Sequence, residues 1–404
     1  MRFPGFSGEW ERVKLGSLFD IGSSKRVFES QWQSSGVPFY RTREIVSLIN
    51  ETPFSSPIYI DEKLFNELIE KYGSIEKGDM LVTGVGTIGQ MYVVPETNKF
   101  YFKDGNVIWF KHNPNVSSQF IKQLFSTNSI ITQLHNNASI TTVATYTIDG
   151  AKKTIAFIPS KKEQDKIASF LALIDQRIAI QNKVIEKLKS LMRGLSNKLM
   201  DNPLWNKIYL GDFMQFYSTN SLSWEQLSYK NGRMKNLHYG LIHSGLPTIT
   251  DCEDNTLPYI QAPFIPKQFI ICKDGDIAFA DASEDTEEVG KAIELCNTGS
   301  MDVVCGLHTI HGRDIIGMTV IGFKGFAFNS KYFHDQLRRM AQGSKVYSIT
   351  AENIKNCYIY VPEVNEQRRI VGLLLCLQDK IKCAERELNT YEIQKRFMLR
   401  EMLV

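Results

Sequence analysis

The chain has 404 residues, 43% of them hydrophobic and 23% charged, so it is too long for one ordinary core and suits two domains with connecting segments. No apolar run approaches the roughly 18 residues of a membrane span, and the N-terminal residues lack the apolar core of a secretory signal, so we expect a cytoplasmic location. The net charge of +3 permits nucleic-acid binding but does not by itself argue for it.

Residues 1–157 have the pattern of one α+β domain. Short β-rich runs, such as 80–83 and 107–110, alternate with turns rich in Gly, Asn, Ser and Asp. Short helices are predicted at 61–71 and 117–133. These elements do not follow the regular strand–helix alternation of a parallel βαβ sheet.

A long helix is predicted next, over 158–203. Ser160 and Glu163 form a capping-box pair at its start. Apolar residues then recur every seven positions in two adjacent rows: Ile167, Ile174, Gln181, Leu188 and Leu195, and Leu171, Ile178, Ile185, Met192 and Leu199. No proline interrupts the pattern before Pro203, so we expect about 40 helical residues, or about 60 Å.

Residues 204–360 have the same pattern of short β-rich runs, turns and short helices as the first domain, with a β-rich run at 276–280 and a short helix predicted at 330–341. A second long helix is predicted over 361–404. Its rows keep the register of the first helix at an offset of 203 residues: Ile370, Leu377, Ala384, Tyr391 and Met398, and Leu374, Ile381, Leu388, Lys395 and Met402.

These two segments predict an intramolecular coiled coil, because a heptad kept over about five repeats is narrower than the apolar stripe of a globular helix. Two helices related by an internal twofold would run antiparallel. The residues expected at the helix–helix contact are Ile167, Leu171, Ile174, Ile178, Ile185, Leu188, Ile370, Leu374, Leu377, Ile381 and Leu388. The alternative is that each helix packs only on its own domain.

An internal repeat connects the two halves. The sequence WERVKLG at 10–16 returns as WNKIYLG at 205–211, and IPSKKEQDKI at 158–167 returns as VPEVNEQRRI at 361–370. A weaker echo pairs KGDM, ending at Met80, with DGDI, ending at Ile277. The interior of each half otherwise shows little similarity to the other. We therefore predict a duplicated scaffold with pseudo-twofold symmetry and diverged middles. If these middles are recognition regions, they should recognise different targets.

Motifs that suggest an enzyme have better structural interpretations. Residues 84–89 match G-x-G-x-x-G, but a β-like run ending in Pro95 follows in place of the helix that a dinucleotide site requires. We predict a glycine turn between two strands, and a solvated loop for the acidic run at 281–288. The sequence contains no adenine-methyltransferase signature, phosphate-binding loop or nucleophile elbow, so no catalytic residue is assigned.

Metal binding is not predicted. Cys305, His308 and His311 lie at three-residue spacing, but a fourth ligand is not evident and the spacing is not a usual zinc pattern. The seven cysteines all lie in the second half, are odd in number and contain no C-x-x-C. This argues against a disulfide framework, and we expect buried, reduced thiols.

Polar and basic clusters are the candidates for DNA contact. Arg reads guanine edges through two hydrogen bonds, and Lys, Ser, Thr and Tyr hold phosphates. An ordinary surface loop is the alternative interpretation of each cluster. The candidates are Arg41, Thr42, Arg43, Thr87, Ser139 and Thr141 in the first half, and Lys235, His238, Tyr239, His308, Lys345 and Tyr347 in the second.

The paired motifs W-x-x-[VI]-x-L-G and P-x-x-x-E-Q-x-x-I resemble those of the DNA-specificity subunits of type I restriction-modification systems. Segments 2–6, 84–89, 238–240 and 306–309 are similar to the same family, so the resemblance covers essentially the whole chain. It implies the following organisation: target recognition domains at 1–157 and 204–360, a central spacer helix at 158–203 and a C-terminal spacer helix at 361–404.

The resemblance also implies a function without catalytic activity on this chain. Each recognition domain would read one half of an asymmetric, split site in double-stranded DNA, and the helices would set the gap. Two modification subunits would dock on the chain, bind S-adenosylmethionine, flip out an adenine in each half-site and methylate its N6. Restriction subunits would join to give a nuclease that uses ATP and Mg²⁺. No cofactor is expected on this chain itself.

Two other classes of function stay open from the sequence. A stand-alone nuclease or methyltransferase would have to bind its own cofactor, and the missing motifs speak against it. A coiled-coil adaptor without a DNA role would explain the helices alone. Salt-dependent DNA binding separates the adaptor from a DNA reader, because phosphate contacts weaken as salt rises.

Overall fold

The structure is a computed structural model that describes residues 2, 3, 5–96, 99–140, 144–285, 288–341 and 346–403, with only the backbone at 138–140. The chain divides into two compact units, Met1–Asn182 with Arg386–Val404 and Lys183–Glu385. The boundary falls inside both long helices, so each unit contains a globular part and portions of both helices. In the described part of the chain, every helix is too short or too polar to span a bilayer.

The globular part of the first unit is built from short strands and helices. Its strands are β1 (Glu11–Lys14), β2 (Ile21–Gly22), β3 (Trp32–Gln33), β4 (Val37–Tyr40), β5 (Ile58–Ile60), β6 (Met80–Thr83), β7 (Met91–Val93), β8 (Tyr101–Phe102), β9 (Val107–Phe110), β10 (Ala138–Ile140), β11 (Ala144–Tyr146) and β12 (Ile155–Ile158). Its helices are α1 (Leu15–Leu18), α2 (Thr42–Ile49), α3 (Glu62–Tyr72), α4 (Ser118–Leu124), α5 (Asn128–Asn136) and α6 (Ile148–Lys153). The central helix α7 (Lys161–Met200) follows.

The second globular part repeats this composition. Its strands are β13 (Asn206–Tyr209), β14 (Met214–Tyr217), β15 (Leu227–Ser228), β16 (Met234–Leu237), β17 (Ile249–Asp251), β18 (Tyr259–Ile260), β19 (Ile277–Ala280), β20 (Ala282–Ser283), β21 (Ala292–Cys296), β22 (Asp302–Cys305), β23 (Thr309–Asp314), β24 (Tyr347–Ser348) and β25 (Tyr358–Val361). Its helices are α8 (Leu210–Phe213), α9 (Tyr239–His243), α10 (Phe323–Phe328), α11 (Lys331–Met340) and α12 (Ala351–Lys355). The C-terminal helix is α13 (Val364–Met402).

Both globular parts have the same sheet topology. The first contains the orders β3-β5-β4-β8 and β2-β9-β6-β7, and the second contains β15-β18-β16-β22 and β14-β23-β19-β21-β17. Matched by position in the chain, the two pairs of sheets are equivalent except for the added edge strand β17. The α+β class is confirmed, and the duplication extends through the interiors whose sequences show little similarity.

The repeated end motifs meet at the start of each long helix. Strand β1 pairs antiparallel with β12, and β13 pairs antiparallel with β25. Gln164 is buried, donates to the carbonyl of Pro159 at 2.8 Å and accepts the backbone N–H of Ser117 at 2.8 Å. Gln367 makes the equivalent bonds, at 2.9 Å to the carbonyl of Pro362 and 2.9 Å from the N–H of Val320. The glutamine of each motif therefore fastens a long helix to its own globular part.

The acids of the two motifs differ in environment. Glu163 is buried and accepts two hydrogen bonds from the guanidinium of Arg2, at 2.9 and 2.8 Å. Glu366 is half-buried and lies 3.4 Å from Arg369 on the same helix. The motif is thus held by an additional ion pair in the first unit.

The weaker echo marks one buried carboxylate in each unit. Asp79 and Asp276 directly precede β6 and β19, and each accepts the backbone N–H three residues earlier, at 2.9 and 2.8 Å. A ring nitrogen from the neighbouring strand completes each site, with Trp109 Nε1 2.8 Å from Asp79 and His311 Nε2 2.7 Å from Asp276. The preceding glycines have φ of 90° and 84°, which explains why glycine recurs there.

Helices α7 and α13 run antiparallel where they meet within each unit. In the first unit, Asp175 pairs with Lys395 at 2.6 Å, and Gln181 donates to Glu387 at 3.0 Å. Residue numbers therefore fall on one helix as they rise on the other. Lys395, the charged member of its apolar row, has the Asp175 carboxylate as its partner.

In the second unit, Lys189 of α7 lies 2.8 Å from Glu385 of α13. The predicted contact residues at the helix starts lie in globular cores, namely Ile167, Leu171, Ile370 and Leu374. The others are buried or half-buried along the helices: Ile174, Ile178, Ile185, Leu188, Leu377, Ile381 and Leu388. The packing of the two long helices on each other is confirmed.

Three details of the sequence prediction are settled by the structure. Residues 84–89 form the turn of the antiparallel hairpin β6–β7, as predicted. The helix predicted at 117–133 is wrong as one element, because Thr127 caps a new helix by accepting the N–H of Ile130. All seven cysteines are free, but Cys376 and Cys383 are exposed on α13, so the prediction of burial is wrong for these two.

Candidate nucleic-acid interface

In the first unit, Arg41 lies where strand β4 passes into helix α2. Its guanidinium is 5.6 Å from the ring centroid of Trp32 and donates to Glu44 at 3.0 and 2.7 Å. The half-exposed Arg43 also donates to Glu44, at 2.6 Å, and to the carbonyl of Ser56 at 2.8 Å. The buried Glu44 carboxylate therefore holds both guanidinium groups at the N-terminus of α2.

This arrangement stabilises the charge on Glu44. Burial alone would raise the pKa of the carboxyl group, but the hydrogen bonds from Arg41 and Arg43 outweigh burial, and the pKa lies below its usual value. The backbone N–H of Arg41 adds a bond of 2.9 Å to the same carboxylate. Both guanidinium groups are thus fixed in position by a charge that persists at neutral pH.

The other first-half candidates lie in two places. Thr42 begins α2, but its hydroxyl is buried and has no hydrogen-bond partner among the described residues. Thr87 is exposed on the turn between β6 and β7. Ser139 lies in β10, whose partner strand β11 is bridged to that same turn. Thr141 lies outside the described residues.

In the second unit, His238 has the equivalent position between β16 and α9. Its imidazole packs against Trp224 with ring centroids 4.4 Å apart and ring planes inclined by 36°, and its Nδ1 accepts the backbone N–H of Gly240 at 3.1 Å. Burial, and secondarily the nearby His308, lower the pKa of His238. The ring is therefore neutral at physiological pH, with its proton on Nε2.

Tyr239 and His308 extend this group. Their rings are nearly perpendicular, with centroids 5.1 Å apart. His308 has a left-handed φ of 54°, its ring is half exposed, and its Nδ1 lies 3.1 Å from the Asp281 carboxylate. We call Trp224, His238, Tyr239 and His308 the aromatic cluster. Three of its members were DNA-contact candidates from the sequence, and the fold brings them together.

The remaining second-half candidates differ in exposure. Lys235 is buried, and its ammonium donates to the carbonyls of Cys252 at 2.7 Å and Asp254 at 3.2 Å. Because the ammonium group is used in these internal hydrogen bonds, Lys235 is not among the DNA contacts proposed below. Tyr347 is half-buried in β24, which pairs with β20. Lys345 lies outside the described residues.

The two units share a tryptophan that the sequence analysis did not single out. Trp32 directly follows the 3₁₀ turn Glu29–Gln31, and Trp224 opens the 3₁₀ turn Trp224–Gln226. In both turns the glutamine side chain accepts the N–H of the residue before the turn, at 2.9 Å. A Trp close to a Gln in each half could have indicated this correspondence in the sequence. The number of residues between the Trp and the Gln differs in the two halves, however, and this hides the repeat.

These observations define a protein with two units of one structural plan, and each unit pairs an aromatic ring with a different polar group. Residues 7–190 match the family model of the type I restriction modification DNA specificity domain. A Haemophilus influenzae protein named as a type I restriction enzyme specificity subunit is 28% identical over 185 residues, which are 44% of this chain and 42% of that protein. The match therefore spans less than half of the relative's length.

Two solved structures are similar over nearly the whole chain. The crystal structure of a type I restriction-modification S subunit from M. genitalium has a TM-score of 0.59 at 15% identity and covers 100% of this chain and 99% of its own. A structure on complex assembly and conformational transition of the type I R-M system has a TM-score of 0.60 at 14% identity, with 98% and 97% covered. At these identities the likeness shows the fold.

Residues 7–190 thus match a type I restriction modification DNA specificity domain, and the fold of the chain is similar to that of a type I restriction-modification S subunit. The family model covers the first half of the chain. The second half repeats the same sheet topology and the same end motifs.

Proposed function

We propose that this chain is the sequence-recognition and scaffold subunit of a type I restriction-modification complex, and that each unit reads one half of an asymmetric, bipartite site in double-stranded DNA. One observation carries the proposal. An equivalent scaffold position holds Arg41 against Trp32 in the first unit and His238 against Trp224 in the second. One framework with different chemistry at its recognition position gives two different half-sites.

In the first unit, the proposed base contact is Arg43. Its half-exposed guanidinium is fixed by Glu44, and a fixed fork matches the O6 and N7 acceptors of guanine in the major groove. Arg41 supports it through the same carboxylate. Thr87 and Ser139 belong to the turn and hairpin that bridge to each other, and their hydroxyl groups suit phosphate oxygens.

In the second unit, the proposed contacts come from the aromatic cluster. The half-exposed His308 and the Tyr239 hydroxyl can each donate to or accept from a base edge or a phosphate. Tyr347 adds a hydroxyl on the strand paired to β20. This unit offers an imidazole and phenol hydroxyl groups where the first offers a guanidinium fork, which supports recognition of a different base sequence.

The long helices are proposed as the spacer between the half-sites. Helix α7 has 40 residues, so it is about 60 Å long. At about 3.4 Å per base pair this corresponds to on the order of 17 base pairs, an upper limit for the separation of the two readers. The length of the unread gap would therefore be a property of the helices.

The proposed partners are two modification subunits, which would carry S-adenosylmethionine and methylate adenine N6, together with ATP- and Mg²⁺-dependent restriction subunits. Exposed apolar side chains on the long helices support docking of protein partners: Leu173, Ile180 and Leu191 on α7, and Leu373, Ile393 and Phe397 on α13. In the first unit, Ile393 and Phe397 line a cleft of about 590 Å³ against Asn128. Exposed apolar side chains that form one contiguous patch mark a surface that contacts another protein.

The test is selection of bound DNA from a random pool by the chain in complex with its modification subunits, followed by binding at several salt concentrations. The proposal predicts two short conserved blocks with a fixed gap and an affinity that falls as salt rises. One contiguous block, or binding without sequence preference, would contradict it.

A further inference from the structure

The second unit contains a buried group of three metal-binding side chains outside the proposed DNA contacts. Cys272, Cys305 and His311 each offer a ligand atom, and these atoms lie within 4.8 Å of one another. The two sulfurs are 3.6 Å apart. Two thiolates bound tetrahedrally to zinc at about 2.3 Å would be about 3.8 Å apart. We propose that these three side chains bind a zinc ion.

The backbone fixes the three ligands from separate segments. Cys305 ends β22, and His311 lies in β23, where it pairs with Ala278 of β19. Cys272 precedes β19, and its backbone N–H donates to the carbonyl of Val303 at 2.8 Å. Such an ion would join the loop before β19 to two strands, which is a structural role.

A metal-bound imidazole usually has a hydrogen-bond partner on its other ring nitrogen, and His311 has such a partner. Its Nε2 lies 2.7 Å from the buried Asp276 carboxylate, so Nδ1 is the ring nitrogen left for a metal. Arg313 in turn donates to Asp276 at 2.8 and 2.6 Å. The carboxylate therefore fixes the orientation of the ring, and the arginine fixes the carboxylate.

The first unit supplies an internal comparison at the same three places. Four residues before the buried aspartate, the first unit has Ile75 and the second has Cys272. The last residue of β4 pairs with Phe102 in the first unit, and the last residue of β16 pairs with Cys305 in the second. Trp109 replaces His311 in the same register.

In the first unit these three side chains, Ile75, Phe102 and Trp109, simply pack together in one apolar cluster. The same framework holds two sulfurs and an imidazole in the second unit. Their convergence is therefore not required by the fold, which needs only three side chains that fill the space.

A cavity provides the fourth coordination position. Cys305 and His311 line a cavity of about 220 Å³ together with Ser218, Thr219 and Gln268. It has room for a water molecule, which would complete a tetrahedral set. Two thiolates and an imidazole favour zinc over the hard cations Mg²⁺ and Ca²⁺.

The test is the metal content of the full chain, purified with a thiol reductant and without a chelator from zinc-supplemented cells. We expect about one zinc per chain in the wild type and in Cys252→Ser, a matched change at another buried thiol of the same core cluster. Cys272→Ser and Cys305→Ser should each lose most of it. After exchange to cobalt, the thiolate-to-cobalt absorption should be present in the wild type, and most of it should be lost when either cysteine is replaced.

The unaltered chain decides the question even where a serine variant does not fold. Metal-free wild-type protein whose thiols are all free, or joined as a Cys272–Cys305 disulfide, would overturn the assignment. Loss of zinc in Cys252→Ser to the same extent as in Cys272→Ser would overturn the ligand set.

Discussion

The imidazole of His238 packs against the indole of Trp224, with ring centroids 4.4 Å apart. In the first unit the guanidinium of Arg41 has the equivalent place, 5.6 Å from the ring centroid of Trp32. Each unit thus keeps an aromatic ring against the residue that directly precedes a helix, while the polar group on that ring differs. Two recognition sites of one plan should be separable by mutation.

Replacing Arg43 by Ala should alter recognition of the first half-site only. Loss of a bidentate guanine contact costs about 1–3 kcal/mol, or roughly 5- to 150-fold in affinity. Binding competition with DNA altered in one half-site at a time measures this. Arg43→Lys keeps the charge without the fork and should also relax the first half-site.

The matched control in the other unit is His308→Ala, which should affect the second half-site only. Thermal unfolding of both variants separates lost contacts from lost folding. An Arg43→Ala protein that folds normally and changes preference in the second half-site would refute the assignment of Arg43.

Lengthening the spacer should change the gap and leave the end sequences as they were. Four residues inserted into both helices, after Asn182 and after Glu385, add about 6 Å, or roughly two base pairs. The recognised motif of the variant complex, compared with that of the wild type, shows the result. Altered end sequences with an unaltered gap would contradict the spacer role.

Replacing Gln164 by Leu should destabilise the first unit. The side chain satisfies the carbonyl of Pro159 and the N–H of Ser117, and each buried group left without a partner costs about 1–3 kcal/mol. Thermal unfolding should show the loss. Gln176→Leu, at an exposed position of the same helix, is the control and should leave stability nearly unchanged. Equal effects of the two changes would argue against the fastening role of Gln164.

The contribution of Glu44 should depend on pH. Its pKa is lowered in the folded state, so the stabilisation is fully present above the unfolded value near 4.3 and is lost as pH falls through the folded value. Glu44→Gln should therefore lose about 1–2 kcal/mol at pH 7, with partner exposure reducing the effect, and this loss should shrink as the pH falls through the lowered pKa of the folded state. Urea unfolding of both proteins across this range measures the difference. A difference independent of pH would show that the charge is not responsible.

The long helices could be predicted from the sequence because heptad periodicity is a local signal. The prediction of 158–203 compares with Lys161–Met200 in the structure, and 361–404 compares with Val364–Met402. The antiparallel pairing was predicted because the repeated E-Q motifs imply two helices related by an internal twofold. The glutamines of these motifs make the same hydrogen bond in both units.

The shared interior could not be predicted, because strand pairing depends on register and burial, which different side chains satisfy equally well. Leu81 faces Trp109 in the first unit where Ala278 faces His311 in the second. Similar geometry with dissimilar residues leaves little trace in the sequence.

Only part of the candidate site could be predicted, because the sequence does not show which side chains are buried and which meet in the fold. Tyr239 and His308 were separate candidates in the sequence, and the fold brings them together. Lys235 was also a candidate phosphate contact, but its ammonium lies in the core. Which face of a short strand is buried cannot be inferred from one lysine. The contact of a tryptophan with the polar residue of each site is tertiary, so it could not be predicted from the sequence.

The most direct test of the central claim is a map of N6-methyladenine across the host DNA when this chain is co-expressed with the modification methyltransferase proposed as its partner. Two readers on one scaffold predict a single split, asymmetric motif methylated on both strands. Methylation at a contiguous or symmetric motif, or a chain that neither directs methylation nor co-purifies with the methyltransferase, would contradict the account.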